Sequence, residues 1–380
     1  MVWAARHQHD PPPARRFYWE AATAAGLEDV TAAELRRHLG RSVRVQEPLG
    51  GAGVAGAVAF HYAGDPRALL DLRTVQTVYA VQRFDVPRPR ALLGDQHFRL
   101  LLDQVAVALD LFPSAAYRTM YLSAAGADSP VLTRLALDLA RSTGLRLGTR
   151  EGNLLIRLRR PPSGEPGWES LVRLGPRPLS ARPWRVCNME GALNAAVAHA
   201  MALLTEPRPS DIVLNLACGS GTLLIERLAA APARRAIGCD TSEAALQCAR
   251  ANVEAAGLER AIELYPWDAR ALPLPDRSVD ILLADLPFGH LVGSHEGNRV
   301  LYPDLLREAA RVARPGARFA LITHEHRLME TTLAQCPAWS LLRAFPVGIG
   351  EVLPRVYLLR PIAVGPARGP SARAPSGSEC

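Results

Sequence analysis

Asp285, Leu286, Pro287 and Phe288 stand where an apolar run, Val279 to Ala284, gives out. A carboxylate, a backbone carbonyl held by the imide ring that follows it, and an aromatic side chain form a set with a specific use. An exocyclic amine on a nucleobase is a poor nucleophile, because its lone pair is delocalised into the ring. The Asp285 carboxylate and the Leu286 carbonyl can accept its two hydrogens and draw the nitrogen toward a tetrahedral geometry. Pro287 fixes the direction of that carbonyl, and Phe288 offers a stacking face to a base lifted from its helix. The acceleration then comes from orienting an in-line transfer, without a strong base.

A second set lies upstream in NLACGSGTLLIE, residues 215–226. Gly219, Ser220 and Gly221 turn the chain sharply out of an apolar run and into a helix, so Ala217, Cys218 and Thr222 beside them can bring the backbone close to a ligand. Asp240 ends the next apolar run, 19 residues past Gly221, where a carboxylate can accept from both ribose hydroxyls; Thr241 follows it. The third glycine of the dinucleotide fingerprint is replaced by Leu224, and the chain has no lysine with which to build a Walker loop. The loop therefore suits a nucleoside without a pyrophosphate. Asp268, with Ala269 beside it, follows the third run and can accept from an adenine amino group. Three such ends in succession, with Asp285 at the fourth, point to S-adenosylmethionine, which leaves S-adenosylhomocysteine after transfer.

These residues need a scaffold, and the chain supplies one between about 210 and 362. DIVLNLA, RRAIGCD, AIELYP, VDILLAD and ARFALIT alternate with helical stretches, which predicts an α/β, Rossmann-like domain. Thr241 or Ser242 caps the helix after Asp240, and Gly257 ends it. WSLLRAF and PRVYLLR have no helix between them, so an antiparallel final hairpin closes a seven-stranded sheet. A helix is expected over LYPDLLREAARVA, with GSHEGNR before it as a loop holding Ser294 and Asn298 near substrate. Upstream, residues 15–183 have a different grain. A helix from Pro130 to Ser142, a strand from Asn153 to Arg160 with Leu154, Ile156 and Leu158 on one face, and a loop from Arg160 to Ser170 describe small α+β units. Residues 184–209 read as a linker helix, and 1–14 and 363–380 as disordered ends.

Charge is local. Ten arginines face three glutamates between 141 and 185, so this segment holds the chain's whole net charge of +7. Arg146, Arg150, Arg157, Arg159, Arg160, Arg182 and Arg185 are candidates to neutralise phosphates, with Trp184 placed either to stack on a base or to pack a joint. Six cysteines form no C-x-x-C pair. Neither a disulfide nor a metal is expected. The alternating His324 and His326 read as loop residues, not ligands. No apolar run spans a bilayer and the start has no apolar export signal, so a cytoplasmic monomer without membrane contact is the expectation.

The Asp-Leu-Pro-Phe run is similar to the motif of amino-directed methyltransferases. The longer DLPFGHLVGSHEGNRVLYPDLLREAARV, with FYWEAATAAGLEDVTAAEL and LRTVQTVYAVQRF near the start, resembles the tRNA guanine-N2 methyltransferases that carry a THUMP domain, including those acting at position 6. The resemblance runs from about Phe17 to Leu359. It implies a ferredoxin-like domain over 15–85, a THUMP domain over 86–183 that holds the tRNA 3′ end, and the methyltransferase domain over 210–362. It also implies that an acceptor-stem guanine is presented to Phe288. Three departures stand out: Asn215 and Leu216 replace an Asp-Pro pair, Leu286 replaces a proline, and His290 stands where Lys or Arg contacts RNA. Two other readings keep part of this one. One is the same reaction on ribosomal RNA; the other is an RNA-binding protein whose methyltransferase fold has lost turnover.

Overall fold

The computed structural model describes residues 18–46, 55–148, 152–286, 294–348 and 353–362. The expected ends 1–14 and 363–380 lie outside the described residues, as do Arg150, Pro287, Phe288 and His290.

The N-terminal half forms β1 (Tyr18–Ala22), α1 (Glu28–Leu39), β2 (Val43–Val45), β3 (Ala57–Tyr62), β4 (Thr77–Phe84) and α2 (Asp95–Leu109). It continues through β5 (Thr119–Ala124), α3 (Pro130–Thr143), β6 (Arg146–Leu147), β7 (Leu154–Arg159) and β8 (Trp168–Arg173). The eight strands make a single sheet in the order β2-β3-β1-β4-β8-β7-β5-β6. Antiparallel pairing of β4 with β8, from Tyr79↔Arg173 to Phe84↔Trp168, joins the units on either side of residue 85. Their apolar faces merge as well, since Trp19, Leu35 and Phe60 share one core with Leu135, Ile156 and Val172. β7 buries Leu154, Ile156 and Leu158 and exposes Arg157, as its alternation requires. The loop expected through Ser170 is instead a strand from Trp168 onward. β8 lies between β4 and β7, where an unpaired backbone would lose ladder bonds on both sides.

The C-terminal half begins with α4 (Ala195–Leu204), whose first turn is capped by the Asn194 side chain accepting from the Ala196 N–H at 2.9 Å. Then come β9 (Ile212–Leu216), α5 (Thr222–Ala230), β10 (Arg235–Cys239), α6 (Glu243–Ala255), β11 (Ile262–Tyr265) and β12 (Val279–Asp285). The chain finishes with α7 (His295–Val312), β13 (Ala313–Thr323), α8 (His326–Gln335), β14 (Trp339–Pro346) and β15 (Arg355–Pro361). The sheet order is β11-β10-β9-β12-β13-β15-β14. β9 to β13 run parallel, while β15 pairs antiparallel with both β13 and β14. This is the expected closing hairpin.

Three expectations are corrected. GSHEGNR is not a loop throughout: α7 starts at His295, with Ser294 Oγ accepting from the Gly297 N–H at 3.1 Å. Pro303 favoured a later start because proline is tolerated best in a first turn, yet the helix runs through it. Second, Cys187 and Cys248 are joined by a disulfide, with their Cα atoms 5.4 Å apart. Their separation of 61 residues matches no pairing motif, and only the fold brings them together. Third, Arg182, Arg185 and Trp184 are drawn inward. Arg182 pairs with Glu226 at 2.9 Å, and Trp184 packs among Leu27, Val197 and Leu223. Arg185 donates to Leu193 O at 2.7 Å and Thr222 Oγ1 at 3.0 Å. Arg182 spends its Nε, Nη1 and Nη2 on protein acceptors, and Arg185 spends its Nη2, so both are drawn into the joint between the sheets.

Candidate functional site

A crevice of about 380 Å³ opens where β9, β10 and β12 end, the edge at which open α/β sheets bind ligands. Ala217, Cys218, Gly219, Ser220 and Thr222 form its floor. Gly219 has φ 52° and Gly221 φ 79°, left-handed conformations that a side chain resists, so the loop turns at its glycines. Ala217, at φ 48°, carries the same conformation with a Cβ, a strained position of the kind that ligand clamps hold. Gly221 is the left-handed residue that opens α5, and a Cβ there would touch Ala249 Cβ at 3.4 Å.

Asp240 fastens this loop to the neighbouring strand. Its Oδ2 accepts the Gly219 N–H at 2.9 Å and its Oδ1 accepts the Ser242 N–H at 2.9 Å. The carboxylate keeps lone pairs on both oxygens for a diol. Thr241 and Ser242 border the same crevice, and Ser242 caps α6. Asp268 and Ala269 form the opposite wall. The Arg270 guanidinium grips Asp268 at 2.7 Å and holds its carboxyl below the usual range. Trp267 was not foreseen; it also lines the crevice, stacked on Tyr265 with ring centroids 4.1 Å apart. An aromatic directly before Asp268 was the available signal for an adenine face.

Asp285 closes the arrangement. Its residue faces the crevice, yet its Oδ1 is shut from solvent and has no hydrogen-bond partner among the described residues. Burial pushes its pKa up to about 7. Leu286 is fixed by donating its N–H to Ile322 O at 3.0 Å. Cys218 is no rival nucleophile, because burial raises its thiol well above the ordinary value. Asn215 does not reach the crevice lining; its amide donates to Leu216 O at 3.2 Å and Leu283 O at 3.1 Å and ties β9 to β12. Glu325, between the two histidines, accepts from Asn298 at 2.6 Å and pairs with His295, so it braces α7 against the end of β13. Among the described residues no group of three His, Cys, Asp or Glu side chains converges as a metal site.

Of the remaining arginines, Arg146, Arg157 and Arg160 are exposed. Arg157 lies 5.3 Å over the Tyr79 ring and Arg160 lies 4.3 Å over Trp168. Arg159 is committed elsewhere, to Glu20 and to Glu169 at 3.0 Å.

The parallel sheet with an antiparallel strand set between its last two neighbours, and the crevice at its ligand edge, are the fold of the class I S-adenosylmethionine-dependent methyltransferases. Within that class, residues 182–355 match the UPF0020 family model, described as an RMKL-like methyltransferase domain. The chain is 36% identical over 189 residues to the tRNA (guanine(6)-N2)-methyltransferase of Thermus thermophilus, covering 50% of this chain and 55% of that one. It is 33% identical over 183 residues to the mouse tRNA (guanine(6)-N(2))-methyltransferase THUMP3, covering 44% and 36%. It thus spans between about a third and just over half the length of these curated relatives. The crystal structure of TrmN from Thermus thermophilus superimposes with a TM-score of 0.70 at 28% identity, over 91% of this chain and 100% of that one.

Proposed function

We propose that the protein transfers a methyl group from S-adenosylmethionine to the exocyclic N2 amine of a guanosine in tRNA, within the acceptor stem. The observation that carries this reading is Asp285. A carboxylate with an orphaned oxygen at the lip of the cofactor crevice is costly to bury and is suited to an amine that brings its own hydrogens. The similarity to tRNA (guanine(6)-N2)-methyltransferases supports the base and the RNA class.

The cofactor would supply an electrophilic methyl group on sulfur. Asp240 would hold its ribose, Trp267 and Asp268 its adenine, and the Gly219–Gly221 turn its remaining length. Asp285 and the Leu286 carbonyl would accept the two amine hydrogens, leaving the lone pair aimed at the methyl group. After transfer, the excess proton would pass to Asp285, whose raised pKa suits it to hold a proton near neutrality. Pro287 and Phe288 complete the set as the sequence motif proposes. Arg146, Arg157 and Arg160 on the N-terminal sheet would meet the phosphates of the tRNA.

The test is incubation of the purified protein with unmodified tRNA transcripts and S-adenosylmethionine, followed by nucleoside mass spectrometry. N2-methylguanosine should accumulate, and an acceptor-stem G-to-A transcript should lose it. Methylation of another nucleoside, or of none, overturns the assignment.

A further inference from the structure

One wall of the cofactor crevice belongs neither to the Gly-turn loop nor to the strand ends. It is the segment from Met189 to Leu193, which precedes α4 and lines the crevice together with Ser220 and Asp240. Few contacts of its own hold it in regular structure, so its position depends on what fastens its two ends. At the Leu193 end, Arg185 donates to the Leu193 carbonyl and to Thr222 Oγ1, and so ties the segment to the first turn of α5. The Cys187 end is held twice. Asn252, fully buried on α6, accepts the Cys187 N–H at 2.9 Å and donates to the Cys187 carbonyl at 3.0 Å. The same amide donates to Ser220 O, also at 3.0 Å, in the middle of the cofactor loop. A single side chain therefore couples the start of this segment to the loop that carries Ser220. The Cys187–Cys248 disulfide then locks the segment to α6 one turn before Asn252.

We propose that Asn252 and the Cys187–Cys248 disulfide are the positioning elements of the cofactor site, so that affinity for the cofactor responds to thiol reductants. The inference rests on the cofactor reading above and adds a control that the reading does not require. Reduction is a two-electron exchange. A dithiol's thiolate attacks the sulfur of half-buried Cys187, the Cys248 thiolate leaves, and the reagent's second thiol closes its own disulfide, leaving two protein thiols. Asn252 alone then holds the Cys187 end, and the crevice must be ordered when the cofactor enters instead of beforehand.

The probe is S-adenosylhomocysteine, titrated calorimetrically into the full chain before and after dithiothreitol. Affinity should fall about tenfold on reduction, equivalent to about 1.4 kcal/mol. Cys248→Ser should start at the reduced value and ignore dithiothreitol. Turnover at saturating S-adenosylmethionine should be unchanged by reduction while KM for that cofactor rises, a split that general loosening of the fold would not give. Alkylation of denatured, unreduced protein should leave Cys187 and Cys248 unlabelled. Labelling of both, or equal affinity before and after reduction, overturns the proposal and leaves the methyltransferase reading standing. No binding of S-adenosylhomocysteine in either state overturns both, whereas a thiol-dependent affinity without methylation of tRNA removes only the substrate assignment.

Discussion

Arg182 and Glu226 form an ion pair 2.9 Å long beneath the joint between the two sheets. The same carboxylate takes two hydrogen bonds from Arg73, at 2.9 and 3.0 Å, and lies 3.0 Å from His199 Nδ1. Residues from the N-terminal half, the linking strap, α4 and α5 thus converge on one buried charge. This is how the sheet that carries the exposed Arg146, Arg157 and Arg160 is held against the sheet that carries the crevice.

Burial alone would push the Glu226 pKa up, but His199, Arg182 and Arg73 outweigh it and hold the value at about 2. A depressed carboxyl contributes its full stability above the ordinary value near 4.5 and loses it as the pH falls toward 2. Glu226→Gln strands the arginines and should destabilise the protein by about 3–5 kcal/mol at pH 7. Between pH 5 and 3 the variant should lose less stability than the wild type. Denaturant melts across that range are the measurement, and equal stability at pH 7 would remove Glu226 from this role.

Asp285 has the opposite sign. With its folded pKa raised to about 7, the native protein keeps a proton that the unfolded chain has already released between about pH 4 and 7. Stability therefore falls as the pH rises through that window. Asp285→Asn should be more stable than wild type at pH 8, by about 2 kcal/mol, and no more stable at pH 4. Its methyl transfer should drop about a hundredfold or more, and wild-type kcat/KM should climb through pH 7 as the carboxylate ionises. A pH-independent kcat/KM between 6 and 8 would contradict the assigned role.

Asp240 should separate cofactor affinity from folding. Its carboxylate is braced by two backbone N–H groups and faces the crevice. Asp240→Ala should weaken S-adenosylhomocysteine binding by between about 10- and 100-fold, the range for hydrogen bonds to a charged group. Calorimetry gives the affinity, and an unchanged value would place the ribose elsewhere.

The strand ends that line the crevice were legible in the sequence because they depend on local turns. Gly219, Asp240, Asp268 and Asp285 each follow an apolar run, and the crevice collects these four, while Gly221 opens α5 without joining the lining. What was not legible depends on packing between distant segments. Arg182 and Arg185 share a charge run with Arg157 and Arg160, and nothing local marks them as inward until Glu226 and Thr222 are brought beneath them. Cys187 and Cys248 likewise become neighbours only when the strap lies along α6. The start of α7 was missed because GSHEGNR, polar and holding glycine, reads locally as a loop, whereas in the fold its residues from His295 onward begin the helix, with Asn298 and Tyr302 buried.

The arginines of the N-terminal sheet give the last contrast. Arg146, Arg157 and Arg160 are exposed, whereas Arg159, between two of them in sequence, satisfies Glu20 and Glu169. Exposed arginines that meet phosphates release counterions, so each of Arg146→Ala, Arg157→Ala and Arg160→Ala should weaken tRNA binding and flatten its log–log salt slope by about 0.7–0.9. Their melting temperatures should stay near wild type. Arg159→Ala should do the reverse. It leaves the Glu20 and Glu169 carboxylates without their shared cation, lowering stability by about 3 kcal/mol or more, with the salt slope unchanged for the fraction that remains folded. Filter binding at several salt concentrations, paired with thermal melts, reads both quantities. A flattened slope in Arg159→Ala would show that its guanidinium reaches RNA despite its two protein partners.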